Sequence, residues 1–194
     1  MRDSFLAFGL AALLGQAVFA QDKPAAPAAK EEAAADAKSD DGAGALKYHD
    51  GMADGKKSMA GAGPMITFGA PAGTKIGAVK IHGSRYGLPK APDESFLVYV
   101  LSGDRKRVLH TELVPYSTFE RGEESWQTVK FKEPVEVPQR FWVALDFRAH
   151  QTKGVYVSYD KSTGGKNSRI GLPGVAPDET KDKADWMIEA VAAQ

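Results

Sequence analysis

The chain has 194 residues, of which 43% are hydrophobic and 26% charged, and its 25 basic and 25 acidic residues give a formal net charge of zero. This composition is typical of a globular protein with one domain, and it excludes a chain that binds nucleic acid through excess positive charge. There is no cysteine, which excludes disulfides, a thiol nucleophile and a lipidated N-terminal cysteine.

Residues 1–20 predict an export signal. Arg2 precedes the apolar run "FLAFGLAALLGQAVFA", which ends at Ala20 with the small residues that a signal peptidase reads. The run is interrupted by Gln16 and is shorter than the roughly 20 apolar residues that span a bilayer. We therefore expect an exported bacterial protein, periplasmic or extracellular, without a transmembrane segment.

Residues 21–46 predict a linker rather than part of a folded domain. Ten of these 26 residues are alanine, none is aromatic, and six acidic residues against three lysines give a net charge of −3. Such a segment has too little apolar surface to offset the entropy lost on ordering. The remaining residues, 47–194, carry 21 basic and 18 acidic residues and form the predicted domain.

This domain is predicted to consist of β-strands in chain order at 75–82, 95–101, 107–113, 126–131, 135–137, 141–147, 154–159 and 186–191. In the first of them Val79 and Ile81 alternate with Lys80 and His82, which is the period of a half-buried strand. No segment has the 3.6-residue period of a long helix. Short strands separated by turn residues indicate an all-β fold, an antiparallel, jelly-roll-like β-sandwich.

A resemblance to a known family rests on five ordered motifs: "KYHDGMADGKKSMAGAGPMITF", "IHGSRYG", "PYSTFERG", "TKGVYVSYD" and "NSRIGLPG". With these motifs the chain resembles a β-sandwich module of unknown function found in exported proteins of planctomycetes and related bacteria, often at the C-terminus of larger secreted polypeptides. The resemblance implies the fold and the compartment, and it assigns no catalytic residue.

Motifs for catalysis are weak. Ser158 and Lys161 have the S-x-x-K spacing of some acyl-transfer enzymes, but that motif requires a helix start and here falls on a strand and a turn. The four histidines, at 49, 82, 110 and 150, are isolated from one another in the sequence. We therefore predict a protein that is not an enzyme, with an unrecognised hydrolase as the third-ranked alternative.

Asp50 and Asp54 are the candidate metal ligands. Each precedes a glycine, and their oxygens could coordinate calcium near the N-terminus of a β-sandwich. The alternative is that both Asp-Gly pairs form ordinary turns, since Lys56 and Lys57 place positive charge nearby. Calcium is the one cofactor that these residues suggest.

A candidate ligand site is predicted at one end of the sandwich. If the strands alternate in direction, with 135–137 continuing its predecessor past a bulge, the connections at 83–95, 114–125 and 148–154 emerge together. With the strand ends they carry His82, Arg85, Tyr86, Tyr116, Arg121, His150 and Lys153. Arginine binds carboxylate, sulfate or phosphate groups, and tyrosine stacks on sugar rings. In the alternative reading Arg85 pairs with an acidic residue of its own loop.

The sequence thus predicts an exported, non-catalytic binding module for an acidic polysaccharide or another envelope component. The alternative is a protein–protein interaction module that docks through a sheet face, and for this we expect an exposed apolar patch.

Overall fold

The computed structural model describes residues 38–39 and 44–194, so the predicted export signal and most of the predicted linker lie outside the described residues. Within this part of the chain the regular structure is β, apart from one 3-10 turn at Tyr116–Thr118. No helix there is long and apolar enough to cross a membrane.

The strands of the described residues are, in chain order, β1 (Lys38–Ser39), β2 (Ala45–Lys47), β3 (Gly55–Lys57), β4 (Pro64–Gly69), β5 (Lys75–Gly87), β6 (Ser95–Ser102), β7 (Val108–Pro115), β8 (Ser125–Glu136), β9 (Arg140–Asp146), β10 (Lys153–Asp160), β11 (Ser168–Ile170), β12 (Asp178–Glu179), β13 (Asp185–Trp186) and β14 (Ile188–Ala192).

These strands form two antiparallel sheets that pack as a sandwich, which confirms the predicted fold class. The eight-stranded sheet has the order β1-β2-β14-β5-β10-β13, with β3 paired to β10 and β8 paired to β5. The six-stranded sheet has the order β12-β11-β4-β9-β6-β7.

The core lies between the two sheets because alternate residues of the long strands point inward. In β9, Phe141, Val143 and Leu145 are fully buried, and in β5 so are Val79 and Ile81. The faces predicted for both strands are therefore correct, and Lys80 and His82 lie on the outward face of the eight-stranded sheet.

Two strands share one side of β5, because β5 is 13 residues long. Its first part pairs with β14 and its last five residues pair with β10. The strands exchange at Met187, whose carbonyl accepts from the His82 amide at 3.0 Å while its own amide donates to Ser158 O at 2.9 Å. The exchange brings His82 and Ser158 side by side on the outward face.

Strand β8 pairs only with β5 among the described residues and forms an edge of its sheet. It contains both the predicted strand at 126–131 and most of the predicted strand at 135–137, and the ladder shifts register between Ile76 and Ala78. A single bulged strand therefore runs through both ranges, as expected if 135–137 continues its predecessor past a bulge, and it carries Lys130, Lys132 and Pro134.

The folded part of the chain begins before the predicted boundary at residue 47. Strand β2 pairs with β14, and its Ala45 is 1% exposed, so the last residues assigned to the linker belong to the sheet. The long segment at 162–185, after β10, is ordered, since β11 pairs with β4 and the buried Asp185 accepts hydrogen bonds from Asn167.

Candidate functional site

The three connections predicted to carry a ligand site do meet at one end of the sandwich. The Arg85 amide donates to Glu120 O at 2.9 Å, the Leu88 amide donates to Thr152 O at 3.1 Å, and the Tyr116 amide donates to Glu94 O at 3.1 Å. These backbone hydrogen bonds join the loops to one another. The structure then shows how each predicted side chain is used.

Arg85 serves its own turn instead of presenting its charge to a ligand. It is 8% exposed, and its guanidinium donates to the carbonyls of Leu88 at 2.7 Å and Pro89 at 2.5 Å. A buried guanidinium needs several acceptors, and backbone carbonyls at the end of β5 supply them. This corrects both earlier readings, the exposed anion-binding arginine and the pairing with an acidic residue.

Tyr116 is a core residue and does not offer a ring face to a sugar. It is 1% exposed, and its hydroxyl donates to Phe147 O. Burial raises the pKa of this hydroxyl well above its usual range. Lys153, predicted to contact the same ligand, instead pairs with Glu94, and its ammonium lies 5.9 Å from the centroid of the Tyr116 ring.

The rest of this end does not favour an anion. Arg121 and His150 are exposed, but the concavity nearby, of about 340 Å³, is lined by residues 90–95 with Pro115 and Ser117. Two of these residues, Asp93 and Glu94, are acidic. Asp93 pairs with Lys90, the one cation of this lining, and Glu94 pairs with Lys153, so no unpaired positive charge lines the concavity for an anionic ligand.

The carboxylates of Asp50 and Asp54 accept hydrogen bonds from backbone amides. Asp50 Oδ1 accepts from the Met52 amide at 2.8 Å, and Asp54 Oδ2 accepts from the Lys161 amide at 2.7 Å. The Asp50 amide donates to Asp160 Oδ2 at 2.9 Å. Within residues 38–39 and 44–194 there is no group of three or more His, Asp or Glu side chains that could hold a metal ion. The Asp50 contact is a turn, as in the alternative reading, whereas the Asp54 carboxylate joins its loop to Lys161, just after β10.

A different surface gathers aromatic and polar side chains, and we call it the polar face: the outward face of the eight-stranded sheet where β5, β8 and β10 meet. Strand register puts Trp126 opposite His82, Tyr156 opposite Ser84 and Gly154 opposite Tyr86. Residues directly opposite one another on paired strands share a face. Three aromatic residues, Trp126, Tyr156 and Tyr86, therefore lie on this one surface.

Tyr86 lies flat across the neighbouring strand because residue 154 is glycine. A Cβ atom at Gly154 would be only 2.3 Å from the Tyr86 hydroxyl oxygen and 2.4 Å from two of its ring carbons. The hydroxyl donates to His150 O at 2.9 Å and accepts from Ser58 Oγ at 3.2 Å. The ring is thus fixed, 4.7 Å between centroids from the Tyr156 ring.

Trp126 is the most exposed aromatic residue of this group, with 37% of its surface accessible. Its ring lies 5.2 Å from the His49 ring and 5.1 Å from the His82 ring, centroid to centroid. His82 Nδ1 is 2.8 Å from Ser158 Oγ. Burial, assisted by nearby His49, lowers the pKa of His82 despite the opposing charge of Glu124.

The charged residues of the polar face are paired. Lys56 bonds to Glu124, and its ammonium lies 5.5 Å from the centroid of the Tyr156 ring. Glu124 also accepts from Ser84 Oγ at 2.8 Å. Burial acts to raise the pKa of Glu124, but the hydrogen bonds from Lys56 and Ser84 outweigh it and lower the pKa. The charges of Lys56 and Glu124 on this face therefore balance each other.

The contact between Ser158 and His82 resembles the pair that activates a serine nucleophile, but its accessibility is wrong for that chemistry. Ser158 is 1% exposed, so its hydroxyl cannot reach a substrate carbonyl. In the structure the pair fixes the orientation of the His82 ring. This contact therefore does not support the hydrolase alternative.

Sequence reasoning missed His49, Trp126, Tyr156 and Glu189. For two of them the signal was present, because Trp126 and Tyr156 occupy outward positions in strands whose other parity is apolar. For His49 there was none, since it follows a three-residue strand without a period.

No family model matches the chain, and no curated protein matches it either.

Proposed function

We propose that this protein is an exported, non-catalytic β-sandwich module that binds a polysaccharide on the polar face. The observation that carries the proposal is the exposed Trp126, which lies on the same surface as the fixed rings of Tyr86 and Tyr156. Aromatic rings of this kind present a flat apolar surface with polar neighbours, and the C–H face of a sugar ring packs on such a surface.

The charge pairs of this surface favour a neutral polysaccharide over the acidic one expected from the sequence. Lys56 is paired with Glu124 and Lys80 with Glu189, so these two lysines of the outward face are each balanced by a carboxylate. Ammonium groups held this way donate hydrogen bonds to sugar hydroxyls, and the carboxylates accept hydrogen bonds from them. They supply no excess positive charge to attract an anionic polymer.

The second candidate, a protein-interaction module, is favoured by a different place. An open groove of about 580 Å³ lies between residues 104–106 and 173–176, and it is lined by Val108 and Val175. These two valines are 50% and 63% exposed. Exposed apolar side chains facing one groove are the feature expected of a docking surface.

A panel of immobilised neutral and acidic polysaccharides, probed with the exported protein, tests the proposal. We expect retention on at least one neutral polymer and a loss of affinity of about tenfold or more in Trp126→Ala, because aromatic anchors carry much of the binding energy. The matched control is Leu113→Ala, which removes an exposed apolar side chain from the other sheet.

Two results would overturn the proposal: no retention on any polymer, or equal retention of the parent and Trp126→Ala. If Val108→Ser and Val175→Ser remove binding to a protein from the same envelope while Trp126→Ala does not, the second candidate replaces the first. Export itself is tested by mass spectrometry of the secreted protein, where we expect Gln21 at the N-terminus.

A further inference from the structure

The environment of His49 is unusual for a buried histidine. Its side chain is 2% exposed, and Nε2 lies 3.3 Å from Glu189 Oε1 without hydrogen-bond geometry. Nδ1 has no hydrogen-bond partner among the described residues. A buried neutral imidazole with neither nitrogen bonded is unfavourable. A protonated imidazole here gains an attraction to the Glu189 carboxylate.

The groups around His49 act on its charge in both directions. On β14, Glu189 attracts a proton to the imidazole; on β5, Lys80 and His82 oppose it, and Glu124 faces His82 from the start of β8. Lys80 Nζ lies 3.3 Å from Glu189 Oε2, so one carboxylate is shared between Lys80 and His49. The carboxylate of Asp50, the next residue, accepts from the Met52 amide at 2.8 Å.

The Glu189 carboxylate can pair with a protonated His49 in addition to Lys80. Its side chain is 8% exposed and Oε2 has no hydrogen bond among the described residues, although Lys80 is close. Burial acts to raise the pKa of Glu189, but the nearby His49 and Lys80 outweigh it and lower the pKa. The carboxylate is therefore charged over the pH range in which histidine titrates.

His49 and His82 bracket the same tryptophan and differ in how firmly they are held. His82 is bonded to Ser158 Oγ, and burial disfavours its charged form. His49 has no comparable bond, and its ring lies 5.2 Å from the ring of Trp126. A cation at that distance from an indole is attracted to it. Protonation of His49 would thus strengthen two contacts together, one with Glu189 and one with Trp126.

We infer that His49 is a positioning residue that holds Trp126 in a proton-dependent way, through its pairing with Glu189. The inference rests on the proposed function, because Trp126 is the aromatic residue proposed to meet the ligand. As the pH falls, His49 is drawn to Glu189 and the Trp126 ring is held more tightly on the sheet. By linkage, ligand binding should strengthen as the pH falls, and bound ligand should favour the protonated state of His49.

Acrylamide quenching of tryptophan emission tests this without a ligand. Trp142 and Trp186 are 7% and 2% exposed, so quenching of the native protein reports chiefly on Trp126. Acrylamide is uncharged and does not sense protonation through its own charge. Between about pH 8 and about pH 5, where histidine titrates, we expect quenching to fall by about twofold in one step.

Three variants assign this step. His49→Gln should abolish it, and Glu189→Gln should move its midpoint to lower pH, because the carboxylate that favours the imidazolium is gone. His110→Gln is the matched control: His110 also lies beside a glutamate, Glu112, at 3.1 Å, but it packs on Phe131 instead of a tryptophan. Its step should equal that of the parent.

The inference is overturned if the parent shows no step or if the step persists in His49→Gln. If His49→Gln does not fold, the midpoint in Glu189→Gln decides, and an unshifted midpoint also overturns the inference. In a second arm, the polysaccharide retained best on the panel is titrated at about pH 5.5 and about pH 7.5, with tighter binding of about fivefold expected at the lower pH.

The two arms separate the failures. If no polysaccharide binds, the proposed function fails and the quenching result still decides the role of His49. If a polysaccharide binds with equal affinity at both pH values while Trp126→Ala abolishes binding, the proposed function stands and the proton-dependent positioning fails.

Discussion

Each sheet places a tryptophan on its outward face, and the two residues have opposite surroundings. Trp142, on the six-stranded sheet, is 7% exposed, donates from Nε1 to Gly103 O at 3.1 Å and packs with Met65 and Leu101. Trp126, on the eight-stranded sheet, is 37% exposed and has imidazoles as its aromatic neighbours. The comparison teaches that an outward tryptophan indicates a ligand surface only where the surrounding residues leave it uncovered.

The largest change in the free energy of unfolding is expected when each tryptophan is replaced in turn. Trp142→Ala should lower the free energy of unfolding by about 3 to 5 kcal/mol, because a buried aromatic ring leaves a cavity. Trp126→Ala should lower it by less than about 1 kcal/mol, since its site is partly open to water. Urea denaturation measures both, and equal losses would mean that Trp126 is as structural as Trp142.

A second substitution compares the two faces of β9. Val143 lies on the inner face and is fully buried, next in sequence to the outward Trp142. Val143→Ala should lower the free energy of unfolding by about 2 to 4 kcal/mol through the cavity that it leaves. If Val143→Ala melts at the temperature of the parent, the inner face of β9 is not core.

Two glycine substitutions, one on the polar face and one in β4, test the packing of the Tyr86 ring. Gly154→Ala places a Cβ against the Tyr86 ring and should lower the free energy of unfolding by about 1 to 3 kcal/mol, and it should weaken polysaccharide binding as well. Gly69→Ala, in β4, meets nothing closer than Gln139 O at 4.0 Å and should stay within about 0.5 kcal/mol of the parent. Equal unfolding curves for the two variants would contradict the described packing of Tyr86.

The smallest expected effect is a pH dependence of stability from His82. Burial lowers the pKa of His82 in the folded protein below its ordinary value of 6.5, so the unfolded chain binds the proton more readily. The contribution of His82 to stability is therefore complete above pH 6.5 and is lost as the pH falls through the folded pKa.

Urea midpoints measured across this range should fall less steeply in His82→Gln than in the parent. The matched control is His110→Gln, which removes a histidine beside Glu112 and Phe131, away from the polar face. The same slope in the parent and in His82→Gln would remove His82 as its source.

The long strands were predictable because alternation fixes both their position and their buried face. Strands β6 and β9 lie close to their predicted ranges, and Val143 and Leu145 are buried as expected, whereas β5 begins where predicted but continues to Gly87, into the segment predicted as a connection. The short strands were not predictable, since two or three residues carry no period. Strand β2 is an example: its place in the sheet depends on pairing with β14, about 145 residues away in the sequence.

The candidate site was predictable in part. Strand direction brought the three connections to one end, but the sequence could not show what each side chain binds there. An arginine fork fits backbone carbonyls as well as an anion, and Arg85 binds the carbonyls of Leu88 and Pro89. The polar face arises from cross-strand register, which pairs His82 with Trp126 and is fixed only by the complete sheet.

The free edge of β8 has a consequence for how copies of this protein meet one another. The uncovered edge of a strand 12 residues long is a template for a strand of another molecule, and such pairing is a route to aggregation. Pro134 has no amide hydrogen to donate, and Lys130 and Lys132 would bring like charges together if two β8 strands aligned side by side. We therefore expect these three residues to oppose edge-to-edge assembly of this protein.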